Sequence, residues 1–259
     1  QLGGLLFIGA FGDLVVDEEA NEQACEFVRR KIRAVVNDPA VAERLSPDSK
    51  IFCKRLCADT HYFETYNRDN VQLVDVKADP IVEITETGLR TKQEDYSLDC
   101  LVYATGFDAM TGALERIDIR GRSGQTLKQK WAEGPRTYLG LETSGFPNLF
   151  TITGPGSPSV LTNMLPSIEQ HVDFISDCIA YMRQRQLRVI EASPEAEKEW
   201  SAHVNEVADM TLYPSCNSWY LGANVPGKPR VFLPLLGFPE YVAKCEEVAA
   251  RDYEGFLLS

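Results

Sequence analysis

Two adjoining cations, Lys54 and Arg55, are the side chains of this sequence whose types point most directly to chemistry. They precede two aromatic residues, Tyr62 and Phe63. An ammonium group acts as a compact charge for a phosphate, whereas a guanidinium group stays charged and offers several donors to an oxyanion. Two solvated surface cations give the same pattern. The pair therefore indicates either an anion site or an ordinary basic surface.

A second candidate is the turn Gly-Pro-Gly-Ser-Pro-Ser at residues 154–159, which leads from an apolar segment toward a helix. Glycine lets the backbone approach a ligand closely, and a helix N-terminus offers unpaired N–H groups with a partial positive charge. A simple Gly-Pro cap of the helix has the same sequence. The turn by itself leaves both interpretations open.

Other reactive residue types give weaker signals. His61, His171 and His203 are far apart in sequence, which favours surface or hydrogen-bonded histidines. Cys53 and Cys57 form a C-x3-C pattern without the second pair that a zinc site requires. No G-x-S-x-G nucleophile motif is present. We therefore predict no metal site and consider a hydrolase improbable.

Composition limits the class of partner. The chain has 26 basic and 38 acidic residues and a net charge of −12, which disfavours nucleic acid. No apolar run approaches the roughly 18 residues of a membrane span, so we expect no membrane partner. Seven scattered cysteines, an odd number in a chain this long, favour a reducing compartment. We expect a cytoplasmic protein.

Hydrophobic periodicity predicts five helices. The first has acidic residues at its start and basic residues near its end, which complements the helix dipole. The helix after the Gly154 turn is predicted to bury Met164, Leu165, Ile168, Val172, Ile175, Ile179 and Met182. The predicted helices span residues 17–36, 40–45, about 164–182, about 194–208 and about 239–250.

Apolar segments bounded by turn residues predict strands at residues 71–76, 81–85 and 89–92. Residues 98–104 are apolar at every position but Asp99, which is typical of a strand buried on both faces of a parallel sheet, and residues 149–153 are predicted as a second buried strand. Alternating helices and strands predict an α/β fold.

Four segments occur in an order that resembles the C-terminal half of a type I Baeyer–Villiger monooxygenase. They are residues 54–71, 99–108, 154–159 and 218–228, and the similarity extends from Asp17 to Phe256. The chain lacks G-x-G-x-x-G and F-x-G-x-x-x-H-x-x-x-W/D, both typical of the family, and begins without Met inside an apolar stretch. We therefore expect it to be a fragment.

The resemblance implies the C-terminal parts of two dinucleotide-binding, Rossmann-like domains of a flavoprotein. Residues 1–48 would form a helical segment inserted in the NADP domain. Residues 49–104 would complete that domain, and residues 105–259 would form the C-terminal part of the FAD domain.

The resemblance also implies roles for individual residues. Arg55 matches the catalytic arginine that stabilises the peroxyflavin anion and its adduct with a ketone. Lys54 matches the lysine that binds the 2′-phosphate of NADPH. Leu56 departs from the proline that many family members have after the arginine.

Further matched positions bind cofactor or line the substrate pocket. The cofactor residues beyond Lys54 are Thr105, Gly106, Gly154, Pro155, Met164 and Trp219. The pocket residues are Ser159, Val160, Leu161, Thr162 and Met164.

By this resemblance the protein uses FAD, NADPH and O2 to convert a ketone into an ester or lactone. Two alternatives stay open. One is a flavin monooxygenase that oxidises sulfur or nitrogen, and the other is a non-catalytic remnant or interaction module. Because the glycine motifs are absent, we expect the isolated chain to be inactive.

Overall fold

The computed structural model describes residues 11–158, 162–223, 227 and 237–259. The chain divides into two compact units, residues 1–106 and residues 107–259. Within the described ranges, no helix combines the length and the apolar content that crossing a membrane requires. Each unit is described by itself below.

The first unit begins with two helices, α1 (Glu18–Val35) and α2 (Pro39–Leu45). Asp17 accepts a hydrogen bond from the Ala20 amide at 2.7 Å and caps α1. Asp38 caps α2, which has Pro39 in its first turn, where the missing N–H costs nothing. Both predicted helices are confirmed. A short helix, α3 (Tyr62–Thr65), follows.

The same unit contains an antiparallel three-stranded sheet, with β1 (Ile81–Thr85), β2 (Gly88–Thr91) and β3 (Asp95–Ser97) in that order. Gly88 lies so close to the Tyr96 carbonyl that a Cβ at this position would collide with it. The strands predicted at 81–85 and 89–92 are confirmed. The third strand, which contains one aromatic residue among polar ones, was not predicted.

Two predicted strands of the first unit are wrong. Residues 71–76 and 98–104 have no regular secondary structure. Val102 and Tyr103 are 78% and 67% exposed, respectively. A buried parallel strand needs neighbours on both edges and layers on both faces, and the described part of the chain provides neither for residues 98–104. An apolar run shows that a segment is suited to burial but not which segments cover it.

Three long helices dominate the second unit: α6 (Met164–Gln184), α7 (Pro194–Asp209) and α8 (Phe238–Ala250). Two one-turn helices, α4 (Gly112–Glu115) and α5 (Leu127–Lys130), precede them. Strand β4 (Ile190–Ala192) pairs antiparallel with β5 (Phe256–Leu258), which opposes Ile190 to Leu258. The three long helices confirm the sequence prediction, and the whole is a mixed α/β structure in which all pairings between described strands are antiparallel.

Helix α6 buries a face that only partly overlaps the predicted one: Met182 is buried as predicted, and Ile175 packs partly buried against the core. Its buried residues are Ser167, His171, Phe174, Cys178 and Met182. Leu165 is 69% exposed, and Val172 and Ile179 are also exposed. The buried face packs against the α7, α8 and β5 core, whose members include Trp200, Tyr241 and Phe256. Hydrogen bonding makes burial of His171 acceptable, a compensation that apolar periodicity does not reveal.

The strand predicted at residues 149–153 is also wrong. The segment contributes a single bridge, between Glu142 and Phe150. Asn148 and Thr153 at its ends have φ of 59° and 51°, in the left-handed region, and these values end an extended run. The segment is a bent connection, not a strand.

Glu142 is fully buried in this second unit, and among the described residues neither of its carboxylate oxygens accepts a hydrogen bond of good geometry. Burial raises the pKa of this carboxyl group to about 8, because the charged form is poorly solvated. The Ala192 amide opposes the rise, and the charge of Glu191 adds to it. The folded state therefore favours the protonated acid at neutral pH.

We expect Glu142→Gln to stabilise the chain increasingly as pH rises. The folded pKa lies above the ordinary 4.5, so the native state holds an extra proton and stability falls between about pH 4.5 and 8. The amide cannot ionise, and its advantage should exceed about 1 kcal/mol at pH 9. Denaturant unfolding at pH 5, 7 and 9 measures this. The exposed Glu246→Gln is the control, and equal slopes for the parent and Glu142→Gln would contradict the assignment.

Candidate functional site

Lys54 and Arg55 are exposed immediately after a buried turn. Ile51, Phe52 and Cys53 are at most 8% exposed, and the Cys53 amide donates to the Lys50 carbonyl at 3.3 Å. Lys54 has no carboxylate within ion-pair distance among the described residues. Its ammonium group is available to an anion, as a phosphate site requires.

Phe52 has φ of 69°, a left-handed conformation that is strained for a bulky residue. Its side chain is 4% exposed and belongs to an apolar cluster with Leu14, Ala24 and Cys25. Burial of the ring thus offsets the strain of the backbone. The two cations follow a turn of fixed shape rather than a loose loop.

Thr105 and Gly106 are exposed and have no regular structure. Gly106 has φ of 81°, and no atom lies within 4 Å of the place where a Cβ would stand. Glycine is therefore favoured here by the backbone conformation and not by close packing. These two residues end the first unit.

The Gly154 turn belongs to the second unit and is held from outside by two side chains. Thr137 donates its hydroxyl to the Pro155 carbonyl at 2.6 Å, and the Trp200 indole N–H donates to the Gly156 carbonyl at 2.9 Å. Gly156 has φ of 91°, which favours glycine. A Cβ on Gly154 would collide with the Thr151 side chain and the Gly140 carbonyl. Both glycines therefore serve the packing of the protein itself.

A buried relay of His171 and Tyr241 also supports this turn. The Thr153 amide donates to His171 Nδ1 at 2.8 Å, so Nδ1 is the acceptor. The Tyr241 hydroxyl donates to the Leu139 carbonyl at 2.7 Å and lies 2.9 Å from His171 Nε2, which must carry the proton. Burial lowers the pKa of His171 to about 4 and keeps the ring neutral.

The relay holds two strained positions. Leu139 and Thr153 both have positive φ, 57° and 51°, although neither is glycine. Each has one main-chain polar group bonded to the relay. His171 was predicted to be a surface or a hydrogen-bonded residue, and the structure shows the second.

The N-terminus of α6 suits an electron-rich group. Asn163 accepts from the Leu165 amide at 3.1 Å, and the first turn has no acidic residue. In contrast, α1, α7 and α8 all have glutamate in their first turns. The partial positive charge of the α6 terminus is therefore not neutralised by its own side chains. Met164, the first residue of α6, is half-buried.

Trp219 begins the short 3-10 turn Trp219–Leu221. Its ring packs edge-to-face on Tyr220 with centroids 4.5 Å apart. The indole is half-buried, and its N–H has no acceptor within the described ranges. This donor can therefore bond a ligand oxygen.

The structure distributes the predicted site residues over both units. Lys54, Arg55, Thr105 and Gly106 lie in the first unit. The second contains Gly154, Pro155, Thr162, Met164 and Trp219. Ser159, Val160 and Leu161 lie outside the described residues. Within the second unit, no hydrogen bond between described residues links Trp219 to the Gly154 turn.

Sequence reasoning missed the side chains that support these groups. They are Asn21, Thr137, Trp200 and Tyr241. Asn21 alone carried a usable signal, because a polar residue stands on the face of α1 that also carries Ala24 and Cys25. The other three act over 18 to 102 residues of sequence, beyond the range of local pattern analysis.

No protein-family model matches the chain. Cyclohexanone 1,2-monooxygenase from Acinetobacter sp is 44% identical over 257 residues, which cover 98% of this chain and 47% of that protein. A solved structure described as oxidized steroid monooxygenase bound to NADP is 52% identical, with a TM-score of 0.92, and the match covers 100% of this chain and 49% of that one. Over almost its whole length, the chain is therefore similar to about half of a type I Baeyer–Villiger monooxygenase.

Two further matches bear on cofactors and chemistry. The structure of OTEMO in complex with FAD and NADP has a TM-score of 0.90 and 42% identity, over 95% of this chain and 46% of that one. Phenazine N-monooxygenase PhzNO1 from Lysobacter antibioticus is 42% identical over 99% of this chain and 47% of that protein. The chain thus spans about half the length of the proteins it matches.

We expect His171 to stay neutral, in a single tautomer, well below pH 6. Its folded pKa is depressed, so its contribution to stability is present above about pH 6.5 and lost as pH falls toward 4. Nitrogen-15 NMR of the imidazole should show a protonated Nε2 and an unprotonated Nδ1 from pH 7 to 5. The exposed His61 provides a reference signal. Titration of His171 near pH 6.5 would show that the relay is absent in solution.

Proposed function

We propose that this chain is part of a flavoprotein monooxygenase that inserts one oxygen atom of O2 into a ketone and forms an ester or lactone, using NADPH. The observation that carries the proposal is the exposed Lys54–Arg55 pair on an anchored turn, in a chain 44% identical to a cyclohexanone monooxygenase. Two cations of different chemistry suit two different anions. We further propose that residues 1–48 and 49–104 belong to the NADP domain and residues 105–259 to the FAD domain.

In this proposal Arg55 is the catalytic residue. FAD, once reduced by NADPH, supplies the activation of O2. The Arg55 guanidinium would stabilise negative charge on the reacting oxygen, and on the ketone oxygen once the ketone carbon is attacked, because a fixed cation needs no reorganisation as charge develops. A guanidinium group offers several N–H donors and no acceptor, so Arg55 acts as a hydrogen-bond donor.

Lys54 binds the 2′-phosphate of NADPH. Its exposure and the absence of a carboxylate partner in the described part of the chain support this role. Trp219 donates its indole N–H to the nicotinamide cofactor, and this donor has no acceptor within the described ranges. Thr105 and Gly106 form a connection of small residues beside the cofactors.

Gly154, Pro155 and Met164 face the flavin in this proposal. The positive end of α6, free of acidic side chains in its first turn, favours negative charge on the reduced ring. Thr162 and Met164, with Ser159, Val160 and Leu161, line the pocket for the ketone. The hydrogen bonds of Thr137, Trp200 and His171 hold this turn in one shape.

A second candidate function is oxidation of nitrogen or sulfur. The 42% identity to a phenazine N-monooxygenase favours it. Ketone oxidation needs a nucleophilic, deprotonated oxygen, whereas heteroatom oxidation needs a protonated, electrophilic one. Arg55 favours the first because a guanidinium stabilises the anion.

We expect Arg55→Ala to lower ketone oxidation by a factor of about 100 or more in a complete monooxygenase that contains this chain. Ester formation from cyclohexanone and NADPH consumption are measured in parallel. Arg55→Lys, which keeps the charge but loses the planar donors, should recover part of the activity. Unchanged ketone oxidation in Arg55→Ala would contradict the role assigned to Arg55, whereas a parent enzyme that oxidises a thioether but not cyclohexanone would favour the heteroatom enzyme.

The 259-residue chain alone should neither retain FAD nor oxidise NADPH. The reason is that it lacks the G-x-G-x-x-G turns by which such folds bind the pyrophosphates of both cofactors. Flavin absorbance of the purified chain and its NADPH oxidation rate test this. The complete enzyme, purified in the same way, is the control. A yellow, active preparation of the chain alone contradicts the expectation.

A further inference from the structure

We propose that Asn21 is a positioning residue for the Lys54–Arg55 pair, and that one face of α1 fixes the turn that presents it. This inference rests on the proposed function of the two cations. Residues 18, 21 and 25 are spaced by three and four, so they share one face of the helix. All three contact residues 49–51.

Asn21 uses both ends of its amide on the turn. Its Oδ1 accepts from the Ile51 N–H at 3.1 Å, and its Nδ2 donates to the Ile51 carbonyl at 3.1 Å. Nδ2 also donates to the Leu14 carbonyl at 2.6 Å. The side chain is 1% exposed, so each of these bonds replaces water that cannot enter. The amide pairs with Ile51 as a neighbouring strand would.

The residues one turn away on α1 hold the same turn. Glu18 pairs with Lys50 at 2.6 Å. The Cys25 thiol lies 3.3 Å from the Ile51 amide and 3.8 Å from the Ser49 carbonyl. Three side chains on one face of α1 thus contact three consecutive residues of the turn, Ser49, Lys50 and Ile51.

The contacts between α1 and the turn matter because the backbone of Phe52 is strained. Its φ of 69° is unfavourable for a bulky residue, and an extended alternative would be favoured if the turn were released. Lys54 and Arg55 are two and three residues further on and are exposed. A change of φ at Phe52 therefore redirects both cations. Asn21 keeps Ile51, the residue before Phe52, in place.

The chain offers a matched control in Asn67. Its Oδ1 accepts from the Asn37 amide at 2.8 Å, and its Nδ2 donates to the Val35 carbonyl at 2.7 Å. This is the same two-point attachment of backbone, in the same unit but at the end of α1. None of its hydrogen bonds reaches residues 49–53.

The test compares Asn21→Asp with Asn67→Asp by two measurements. Aspartate keeps the acceptor and the shape but removes the donor, so Asn21→Asp keeps the bond from the Ile51 N–H and loses the bonds to the Leu14 and Ile51 carbonyls. Hydrogen exchange of residues 49–55 in the 259-residue chain should become about tenfold faster. The preference for NADPH over NADH, as a ratio of kcat/KM in the complete enzyme, should fall about tenfold. Asn67→Asp should change neither.

Lys54→Ala separates this inference from the proposed function. If Lys54→Ala leaves the NADPH preference unchanged, the assigned role of Lys54 is wrong, and the exchange rates alone decide whether Asn21 fixes the turn. If Lys54→Ala abolishes the preference but Asn21→Asp keeps it, Asn21 has only a structural role. An equal loss of preference in Asn67→Asp overturns the inference as well.

Should Asn21→Asp fail to fold, Cys25→Ala replaces it, because it removes the thiol contacts with the turn together with the thiol's hydrogen bond to Asn21 Oδ1. About threefold faster exchange of residues 49–55, together with a reduced NADPH preference, supports the inference. Unchanged exchange and an unchanged preference refute it.

Discussion

Buried main-chain polar groups beside strained residues set the main constraint on this structure. Phe52, Leu139 and Thr153 have left-handed backbones although none is glycine. In each case a helix side chain bonds a nearby backbone group. Asn21 accepts from the amide of Ile51, which precedes Phe52. Tyr241 donates to the Leu139 carbonyl, and His171 accepts from the Thr153 amide. An unpaired buried amide or carbonyl costs about 1–3 kcal/mol, so these helix side chains decide which backbone shapes persist. The Lys54–Arg55 pair follows Phe52 closely in the sequence, and the Gly154 turn follows Thr153 directly.

The helices were accessible from sequence because their signals are local. Asp17 and Asp38 mark two starts, Ser193 caps α7 with Pro194 after it, and apolar spacing gives the lengths. The strands at 98–104 and 149–153 were wrong because burial of a strand depends on neighbours elsewhere. The predicted face of α6 was only partly right for a related reason. His171 is polar, and its burial is possible because of a partner distant in sequence, Tyr241.

The candidate site, like the fold, was predictable only where the signal is local in the sequence. Lys54, Arg55 and the Gly154 turn were identified by residue type, and family resemblance gave them roles that remain proposals. Their supports could not be identified, because Trp200 reaches Gly156 across 44 residues and Asn21 reaches Ile51 across 30. Residue type indicates what a side chain can bind. The long-range hydrogen bonds determine where it points.

The Tyr241 hydroxyl has a consequence for the order in which the second unit becomes structured. It closes the relay from 70 residues beyond His171 and 102 residues beyond Leu139. The Gly154 segment is synthesised early, yet its hydrogen bonding is complete only once α8 has docked. Contacts of such sequence separation form late, because closing a long loop must precede them. During synthesis, the segment proposed to meet the flavin therefore waits for α8, whose Tyr241 follows Leu139 by 102 residues.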